Sequence, residues 1–460
     1  MPDDLRARRD ERRRMMLEDP VAKIIPIIAL PMIVSMLIDS LYNIADTYFV
    51  SQLGMYATAA VGVNDSLLHF MRSIAMGFGV GASSYISRLM GARREEDACT
   101  VGNTILLTSM CFISVMALIA YVFMDPLVDL LGSTASSKQY SMDYASIILI
   151  SAPFTAAEVA LSQMLRSEGS TRYSMIGMVS GCVINVVLDP IFINTLGMEV
   201  AGAALATTIS KFISMCVLAY PFLAGKTMLV LNKRYFHPSK KLYAEVAKMG
   251  IPTFIRSSLM SVSSVVTNNL AGGFSDAALA SVSVANKCTR LVGSAIMGFG
   301  QGYQPIVGYC WGAKRYSRVR QSFKTCSLMG ATASLILGSI MFIFAPRLIS
   351  VFAASGSEEI IGIGTLMVRS QCVTMIPHTW VMIVNSLFQA LGKPLQATVL
   401  GLSRQALALI PCVIILSALF GVNGLAVAQA SADMVSGLIA MTMVILFFRS
   451  IRDLRDEDPA

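Results

Sequence analysis

The sequence has little charge for its length. Only 14% of its 460 residues are charged, whereas a soluble domain usually carries about 25%. A soluble chain of this size would need more charge to cover its surface. A disordered chain would have far fewer hydrophobic residues than the 55% found here. These two classes are therefore excluded, and a mean hydropathy of +0.65 points to a membrane protein.

Histidine and cysteine are arranged in a way that excludes several familiar sites. The chain has three histidines, far apart, and nine cysteines that are scattered singly, without a CxxC pair or a Cys/His cluster. Neither a structural zinc site nor a disulfide framework is predicted. Because HExxH and GxSxG patterns are also missing, we expect neither an enzyme nor a bound cofactor.

Long apolar runs fill the rest of the chain. A bilayer-spanning helix needs about 20 mostly apolar residues. Twelve segments meet this length: 24–52, 57–89, 98–124, 140–165, 174–194, 199–224, 249–273, 278–310, 323–345, 360–391, 397–420 and 424–448. We therefore predict an all-α polytopic membrane protein. Residues 1–23 precede the first segment without an A-x-A cleavage site, which indicates a cytoplasmic tail rather than a signal peptide.

The distribution of basic residues tests this count of twelve. With the tail inside, the inner segments hold 27 of the 36 lysines and arginines, and the outer loops hold only Lys138 and Arg347. The positive-inside rule then places both termini in the cytoplasm. We expect a cell-membrane (inner-membrane) location. The net charge of +8 orients the protein and does not indicate a nucleic-acid partner.

The chain repeats itself at an offset of 221 residues. The sequence Met76-Gly77-Phe78-Gly79 recurs at Met297-Gly298-Phe299-Gly300, and Pro31 pairs with Pro252. Each half holds six predicted spans, so the two halves have the same topology, as in transporters that hold substrate between two repeats. The predicted domains are an N-terminal tail 1–23, an N-lobe 24–224, a basic linker 225–248, a C-lobe 249–448 and a C-terminal tail 449–460.

Ionisable residues within the spans are distributed unequally between the lobes. Such residues are costly in a membrane and are functional candidates by default. The N-lobe holds the acids Asp39, Asp46, Asp65, Glu158 and Asp189, whereas the C-lobe holds only Asp433. The C-lobe instead carries Arg256, Lys287, Arg290, Arg369 and Arg404. This asymmetry suggests that a cation binds in the N-lobe.

Depth selects a candidate cation site. Asp46, Asn185, Asp189 and Thr207 each lie roughly 10–15 Å below the predicted outer surface, at 1.5 Å per helical residue. Asn185 and Asp189 are four residues apart and share a helix face. Two carboxylates, an amide and a hydroxyl suit Na⁺, and two neighbouring acids also suit H⁺. Pro190 is expected to bend the fifth span beside this site.

Several other residues are candidates for a substrate cavity. Asp39 lies near mid-membrane, and Glu158 is a candidate for contact with a cationic substrate. Tyr42 and Asn43 lie on the first span, close in sequence to Asp46. Pro31 is expected to bend the first span.

With these residues identified, the chain resembles the multidrug and toxic compound extrusion (MATE) family over essentially its whole length. The resemblance rests on the sequence Asn43-Ile44-Ala45-Asp46-Thr47 and on Met76 to Gly81 with Gly91-Ala92 after it. The second-half copy at Met297 to Gly302 and the pattern Asn185…Asp189-Pro190 complete it.

The resemblance implies two six-helix lobes forming a V-shaped cavity and export of small-molecule drugs in exchange for H⁺ or Na⁺. In branches with an N-lobe ion site, the matching positions are the four that depth selected, and Tyr144 falls where a tyrosine lines the cavity. Branches with acids in the seventh and tenth spans are a poorer match, because this chain has Arg256 in the seventh. We expect a monomer in the bilayer.

A different transported molecule is also compatible with twelve spans. A lipid-linked oligosaccharide flippase shares this architecture and would prefer a basic cavity for an anionic lipid. The five basic residues in the C-lobe spans keep this alternative open.

Overall fold

A computed structural model of the chain describes residues 3–134, 136–352 and 358–457. The described residues are almost entirely helical, and none of them lies in a strand. The α-helices are α1 Asp3–Glu18, α2 Val21–Ser51, α3 Met55–Gly91, α4 Glu95–Val122, α5 Met124–Leu130, α6 Lys138–Ile148, α7 Ala152–Ser167, α8 Thr171–Pro190, α9 Glu199–Leu223, α10 Lys240–Phe274, α11 Asp276–Gly312, α12 Tyr316–Phe352, α13 Glu358–Val373, α14 Met375–Ala390, α15 Pro394–Leu402 and α16 Ile410–Ser450. Short 3-10 helices cover Leu149–Ser151 and Lys233–Tyr235, and π-helices cover Ile191–Thr195 and Ser403–Leu409.

The helices follow the predicted membrane spans, which confirms the predicted all-α polytopic class. Among the described residues, seven helices are long and apolar enough to cross a membrane, and α13 with α14, bent by 55°, makes an eighth. The stretch Pro394–Ser450 is one of these seven, although it contains two predicted spans. The two spans are joined because helix continues on both sides of Gly421, whose φ is +59°. The helices α3, α10 and α11, with 35 to 37 residues, are long enough to cross a membrane. They are not among the seven because they contain more polar and charged residues.

Apolar side chains on the outside of the helices fit a lipid environment. On α4, Leu118 and Val122 are exposed, and Leu335 and Ile343 are exposed on α12. Such continuous apolar surface is costly in water and favourable in a bilayer.

The chain forms two compact units, and each contains a piece from the other half of the sequence. The first unit comprises residues 1–15 and 34–250, and the second comprises 16–33 and 251–460. The first part of α2 therefore packs with the second unit, and the first part of α10 packs with the first unit. The linker at 225–248 is consequently part of the first unit.

Glycines on α3 allow the first part of α10 to approach closely. A Cβ atom at Gly81 would lie 2.3 Å from the carbonyl oxygen of Val246, and one at Gly77 would lie 3.2 Å from the carbonyl oxygen of Gly250. Only glycine fits at Gly81, because a methyl group there would overlap the backbone of the neighbouring helix.

The equivalent glycines of α11 do the same for the first part of α2. A Cβ at Gly298 would lie 2.8 Å from Cα of Ile33, and one at Gly302 would lie 2.4 Å from Cα of Ala29. Because Gly298 and Gly302 are 221 residues after Gly77 and Gly81, the sequence repeat is a repeat of helix packing.

The repeat extends to helix ends. The helices α3 and α11 each have 37 residues, and their first and last residues differ by the same offset of 221. After them, Arg93 and Lys314 adopt the left-handed conformation, with φ of 59° and 54°. These residues are also 221 apart, so the turn that ends the glycine-rich helix is copied in both halves.

Candidate cation site in the first unit

Three of the four residues selected by depth form one hydrogen-bonded group. In the amide orientation that satisfies both ends of the Asn185 side chain, its nitrogen donates to Oδ2 of Asp189 at 2.8 Å. Its oxygen then accepts from the hydroxyl and the backbone N–H of Thr207, at 3.2 and 3.1 Å. Asn185 and Asp189 are buried. The structure therefore brings Asn185, Asp189 and Thr207 together, and their role in binding a cation stays a prediction.

The local sequence explains how these groups meet. Asn185 and Asp189 lie one helical turn apart on α8, so both face α9, which carries Thr207. Small residues let the two helices approach, since a Cβ at Gly181 would lie 2.8 Å from Cβ of Ser214. Pro190 is the last residue of α8 and the π-helix Ile191–Thr195 follows it. The regular helix thus ends one residue after Asp189.

One oxygen of Asp189 stands out. Its Oδ1 atom is buried and has no hydrogen-bond partner among the described residues. A buried carboxylate oxygen without a donor is unfavourable and is expected to take up a proton or contact a cation.

The fourth selected residue, Asp46, lies close enough to Asp189 for the two carboxylates to interact electrostatically. Asp46 is half-buried on α2, in the part of this helix that belongs to the first unit. Asp46 also interacts with Asp65, an exposed residue of α3. Three acids therefore act on one region of the first unit, and their mutual repulsion favours binding of a positive ion.

Two tyrosines border this acidic region. The half-buried Tyr42 lies near Thr207 and interacts electrostatically with Asp46 and Asp189. Tyr144 interacts with the same two acids and is buried in an apolar cluster that includes Ile148. Tyr144 therefore packs in the core of the first unit, and Tyr42 borders the site from α2.

The acids predicted to face substrate have basic partners. Glu158 is buried, with its Oε2 atom 2.9 Å from Nζ of Lys211 and its Oε1 atom accepting from the hydroxyl of Ser214 at 3.1 Å. Asp39 lies 3.5 Å from Arg72. The charges of Asp39 and Glu158 are therefore balanced within the protein, which separates them from Asp46 and Asp189.

The remaining predicted residues have structural contacts of their own. The amide of Asn43 donates to the backbone oxygen of Asp39, one turn earlier on α2, at 2.6 Å. The helix α2 continues through Pro31 without a change of secondary structure.

Sequence reasoning missed the partners of these acids. Lys211 lies within the predicted span 199–224, and its distance in sequence from Glu158 gives no helical spacing that would pair them. The pairing of Arg72 with Asp39 also joins two helices, α3 and α2. Opposite charges inside one predicted lobe were the only available indication, and they do not specify which groups meet.

The donor set suits a light monovalent ion better than a transition metal. Among the described residues, no group of three or more His, Cys, Asp or Glu side chains is placed to hold a metal ion. The available atoms are the carboxylate oxygens of Asp46 and Asp189 and, less freely, the amide and hydroxyl oxygens of Asn185 and Thr207. Oxygen ligands of this kind suit hard cations.

The MatE family model matches residues 31–191 and 252–415, which is most of the chain and covers both repeats. The chain belongs to the MatE family. The two matched ranges contain all of the candidate residues except Thr207, and they begin at the repeat-related positions Pro31 and Pro252. The protein is therefore a multi-pass membrane protein of the MATE transporter family.

Relatives of known description are similar over nearly the whole chain. The multidrug export protein MepA of Staphylococcus saprophyticus is 26% identical over 419 residues, covering 91% of this chain and 92% of that protein. A solved outward-facing structure of a multidrug resistance MATE family transporter of the MOP superfamily is 25% identical, with a TM-score of 0.91 over 95% of this chain and 98% of that chain. A solved structure of a MOP superfamily transporter from Pyrococcus furiosus is 25% identical, with a TM-score of 0.87 over 95% of this chain and 98% of that chain. Its description says that a binding pocket of reverse polarity suggests a different function.

Proposed function

We propose that this MATE transporter is a secondary active multidrug exporter that exchanges amphipathic, often cationic, small molecules for an entering H⁺. The observation that carries the proposal is the unpartnered, buried Oδ1 atom of Asp189 beside the charge of Asp46. The similarity to proteins named for multidrug export supports the substrate class.

The hydrogen bonds of the candidate site favour a proton over Na⁺. The amide oxygen of Asn185 already accepts twice from Thr207, and the amide nitrogen already donates to Asp189. A proton needs only the free carboxylate oxygen. Na⁺ needs several oxygen ligands, so it would have to break the bonds between Asn185 and Thr207.

The proposed mechanism is that the proton and the cationic drug favour different conformations of the same transport cycle. Protonation of Asp189 or Asp46 removes the repulsion between the carboxylates and makes a hydrogen-bond donor where there was only an acceptor. The protonated arrangement differs from the one that holds a cationic drug, so proton entry shifts the population of conformations. Drug and proton need not occupy the same atoms.

Ethidium efflux from membrane vesicles tests the proposal, with a pH gradient and a Na⁺ gradient imposed separately. We expect the pH gradient alone to drive export, and Asp189→Asn or Asp46→Asn to reduce it at least about tenfold, as expected for loss of an essential proton carrier. Asp143→Asn is a matched control, because the side chain of Asp143 is exposed on α6 and accepts from the amide of Gln139.

The outcomes separate the alternatives. Export that follows the Na⁺ gradient alone would replace H⁺ with Na⁺ at the same residues. Unchanged efflux in both aspartate variants would contradict the assignment of the coupling site.

The second candidate function is a flippase for a lipid-linked oligosaccharide. The exposed cations Lys287 and Arg290 on α11 favour an anionic lipid head group. Binding of a polyprenyl phosphate by the purified protein, with no binding of ethidium, would support this function in place of drug export.

The proposed location is the cell membrane, with a monomeric chain and both termini in the cytoplasm. The excess of lysine and arginine in the inner segments supports this orientation. Fluorescent-protein and phosphatase fusions at each terminus test it, since only the former is active in the cytoplasm. Phosphatase activity at either end would contradict the topology.

A further inference from the structure

Arg256 is a cation inside the second unit without a counterion among the described residues. It lies on α10, and its Nε atom is buried and has no hydrogen-bond partner there. Its aliphatic stem packs on α15, since a Cβ at Gly401 would lie 3.4 Å from both Cβ and Cδ of Arg256. The stem of this partly exposed side chain is therefore held by packing, while the Nε atom of its guanidinium is unsatisfied.

Asp433, a buried acid of the same unit that contacts Arg404, is already engaged. Oδ1 of Asp433 accepts from Nε of Arg404 at 2.7 Å, and Oδ2 lies 3.6 Å from Nδ1 of His378. Gln429 donates to the same carboxylate at 3.4 Å. Asp433 is buried, so one negative charge serves Arg404 and its neighbours and leaves none for Arg256.

Arg256 and Arg404 are close enough to repel each other electrostatically. The region thus holds two guanidinium groups and one carboxylate, which leaves an excess positive charge. An unpaired charge within a membrane span is costly, and a bound anion would remove that cost.

A hydrogen bond to the backbone supports the closeness of Arg256 to Arg404. Arg404 lies in the π-helix Ser403–Leu409, and the hydroxyl of Ser263 on α10 donates to the backbone oxygen of Gln405 at 2.8 Å. This bond ties α10 to the π-helix next to Arg404. Arg256 and Arg404 each lie about 7 residues from the inner end of their predicted spans, or roughly 10 Å deep.

We infer that Arg256 is the centre of an oxyanion subsite in the second unit, which binds the carboxylate of a zwitterionic amphipathic substrate entering from the cytoplasm. A planar guanidinium pairs well with a carboxylate, through two parallel hydrogen bonds. The inference rests on the proposed export function and extends it. It adds substrates that carry a carboxylate, which a binding site lined only by acids would repel.

Two dyes provide a matched probe pair. Rhodamine 123 is the methyl ester of rhodamine 110, so the two share a ring system and differ in the free carboxylate. We would measure the affinity of each for the full-length protein in phosphatidylcholine nanodiscs by fluorescence anisotropy. Arg256→Gln should weaken rhodamine 110 binding about tenfold or more, and rhodamine 123 binding by less than about twofold.

A second cation of the same unit serves as the control. The guanidinium of Arg369 lies 5.0 Å from the ring centroid of Phe342 and donates to the backbone oxygen of that residue at 3.3 Å. Because these contacts use its charge, Arg369→Gln should leave the affinity of both dyes unchanged. Equal losses in the Arg369 and Arg256 variants would mean a general effect of charge and would overturn the subsite.

Melting of the dye-free variants provides a readout independent of binding. Removing a charge that has no counterion should not destabilise the protein, so Arg256→Gln should melt at or above the wild-type temperature. Arg256→Lys keeps the charge without the planar fork and should retain only part of the preference for rhodamine 110. A clearly lower melting temperature for Arg256→Gln would show that Arg256 has a structural partner and would overturn the inference.

The phosphate of an anionic lipid presents the same chemistry, and a second nanodisc composition distinguishes it. If phosphatidylglycerol weakens rhodamine 110 binding to the wild type down to the level of Arg256→Gln, a lipid phosphate occupies the subsite, and a substrate carboxylate does not. An unchanged affinity supports the substrate.

The proposed function and the subsite can fail separately. Equal affinity of the wild type for both dyes, with ethidium efflux intact, would contradict the subsite alone. Loss of ethidium efflux, with the carboxylate preference intact, would contradict the export function alone.

Discussion

The half-buried Lys211 of α9 forms an ion pair with the buried Glu158 of α7, with Nζ and Oε2 2.9 Å apart. Removing only the lysine would leave a buried carboxylate uncompensated, which usually costs about 3–5 kcal/mol. We therefore expect Lys211→Met to lower the melting temperature of the purified protein markedly. The double variant Lys211→Met, Glu158→Gln should recover much of that loss. A double variant as unstable as the single one would contradict the pairing.

Asn185 should tune the candidate cation site without being essential to it. Asn185→Ala removes the amide that joins Thr207 to Asp189, but it leaves both carboxylates in place. We expect ethidium efflux to fall by about tenfold, corresponding to loss of one hydrogen bond to a charged group. Asn194→Ala, on the exposed surface of the π-helix after α8, should have no effect. The hypothesis fails if both variants behave alike.

The close approach of α3 and α10 should make Gly81 intolerant of substitution. Gly81→Ala places a methyl group 2.3 Å from the carbonyl oxygen of Val246, and overpacking of this kind costs about 1–3 kcal/mol or more. Gly62→Ala on the same helix meets no atom within 4 Å and should be neutral or stabilising. Comparing their thermal melting in detergent checks the prediction, and equal melting temperatures would refute it.

Glu168 should hold the linker 225–248 in place. It is buried outside the spans, and its Oε2 atom accepts from the backbone N–H groups of Met228 and Leu229, at 2.8 and 3.0 Å. Its other oxygen accepts from Ser170, and Arg12 lies 3.7 Å away. Glu168→Ala would leave the two backbone N–H groups unpaired and should cost about 2–4 kcal/mol. Glu96→Ala, at an exposed site, should cost little.

The same residue predicts a pH dependence. Burial raises the pKa of Glu168 above its ordinary value of 4.5, and this outweighs the lowering by Arg12 and by the hydrogen bonds. A raised pKa means that the folded protein binds the proton more tightly, so the contribution of Glu168 to stability declines as the pH rises from about 4.5. Melting curves over this range should lose that slope in Glu168→Gln. An identical slope in the variant would assign the effect to other groups.

The sequence predicted the fold because its strongest patterns are those the membrane imposes. Apolar length identified the spans, and the repeat at an offset of 221 identified helices that do begin and end at equivalent residues. The merging of two spans around Gly421 was not predictable, because helix continues on both sides of a single left-handed residue.

The candidate site was predicted in part. Asn185 and Asp189 share a helix face by their spacing alone, and depth added Thr207. The spacing along the chain could not reveal that the acids Glu158 and Asp39 have basic partners, since each pair joins separate helices. The lack of a counterion for Arg256 was equally hidden, because it depends on Asp433 being engaged by Arg404 and His378.

The exchange of helix ends between the two units has a consequence for the gene. Cutting the chain in the linker between α9 and α10 would give two polypeptides, and neither would contain a complete unit. Residues 16–33 and 240–250 would each be separated from the rest of the unit to which they belong. Co-expressed fragments should complement each other, whereas a fragment expressed alone should lack the helix that its glycine-lined surface requires. Each half of the sequence therefore needs the other to complete its unit.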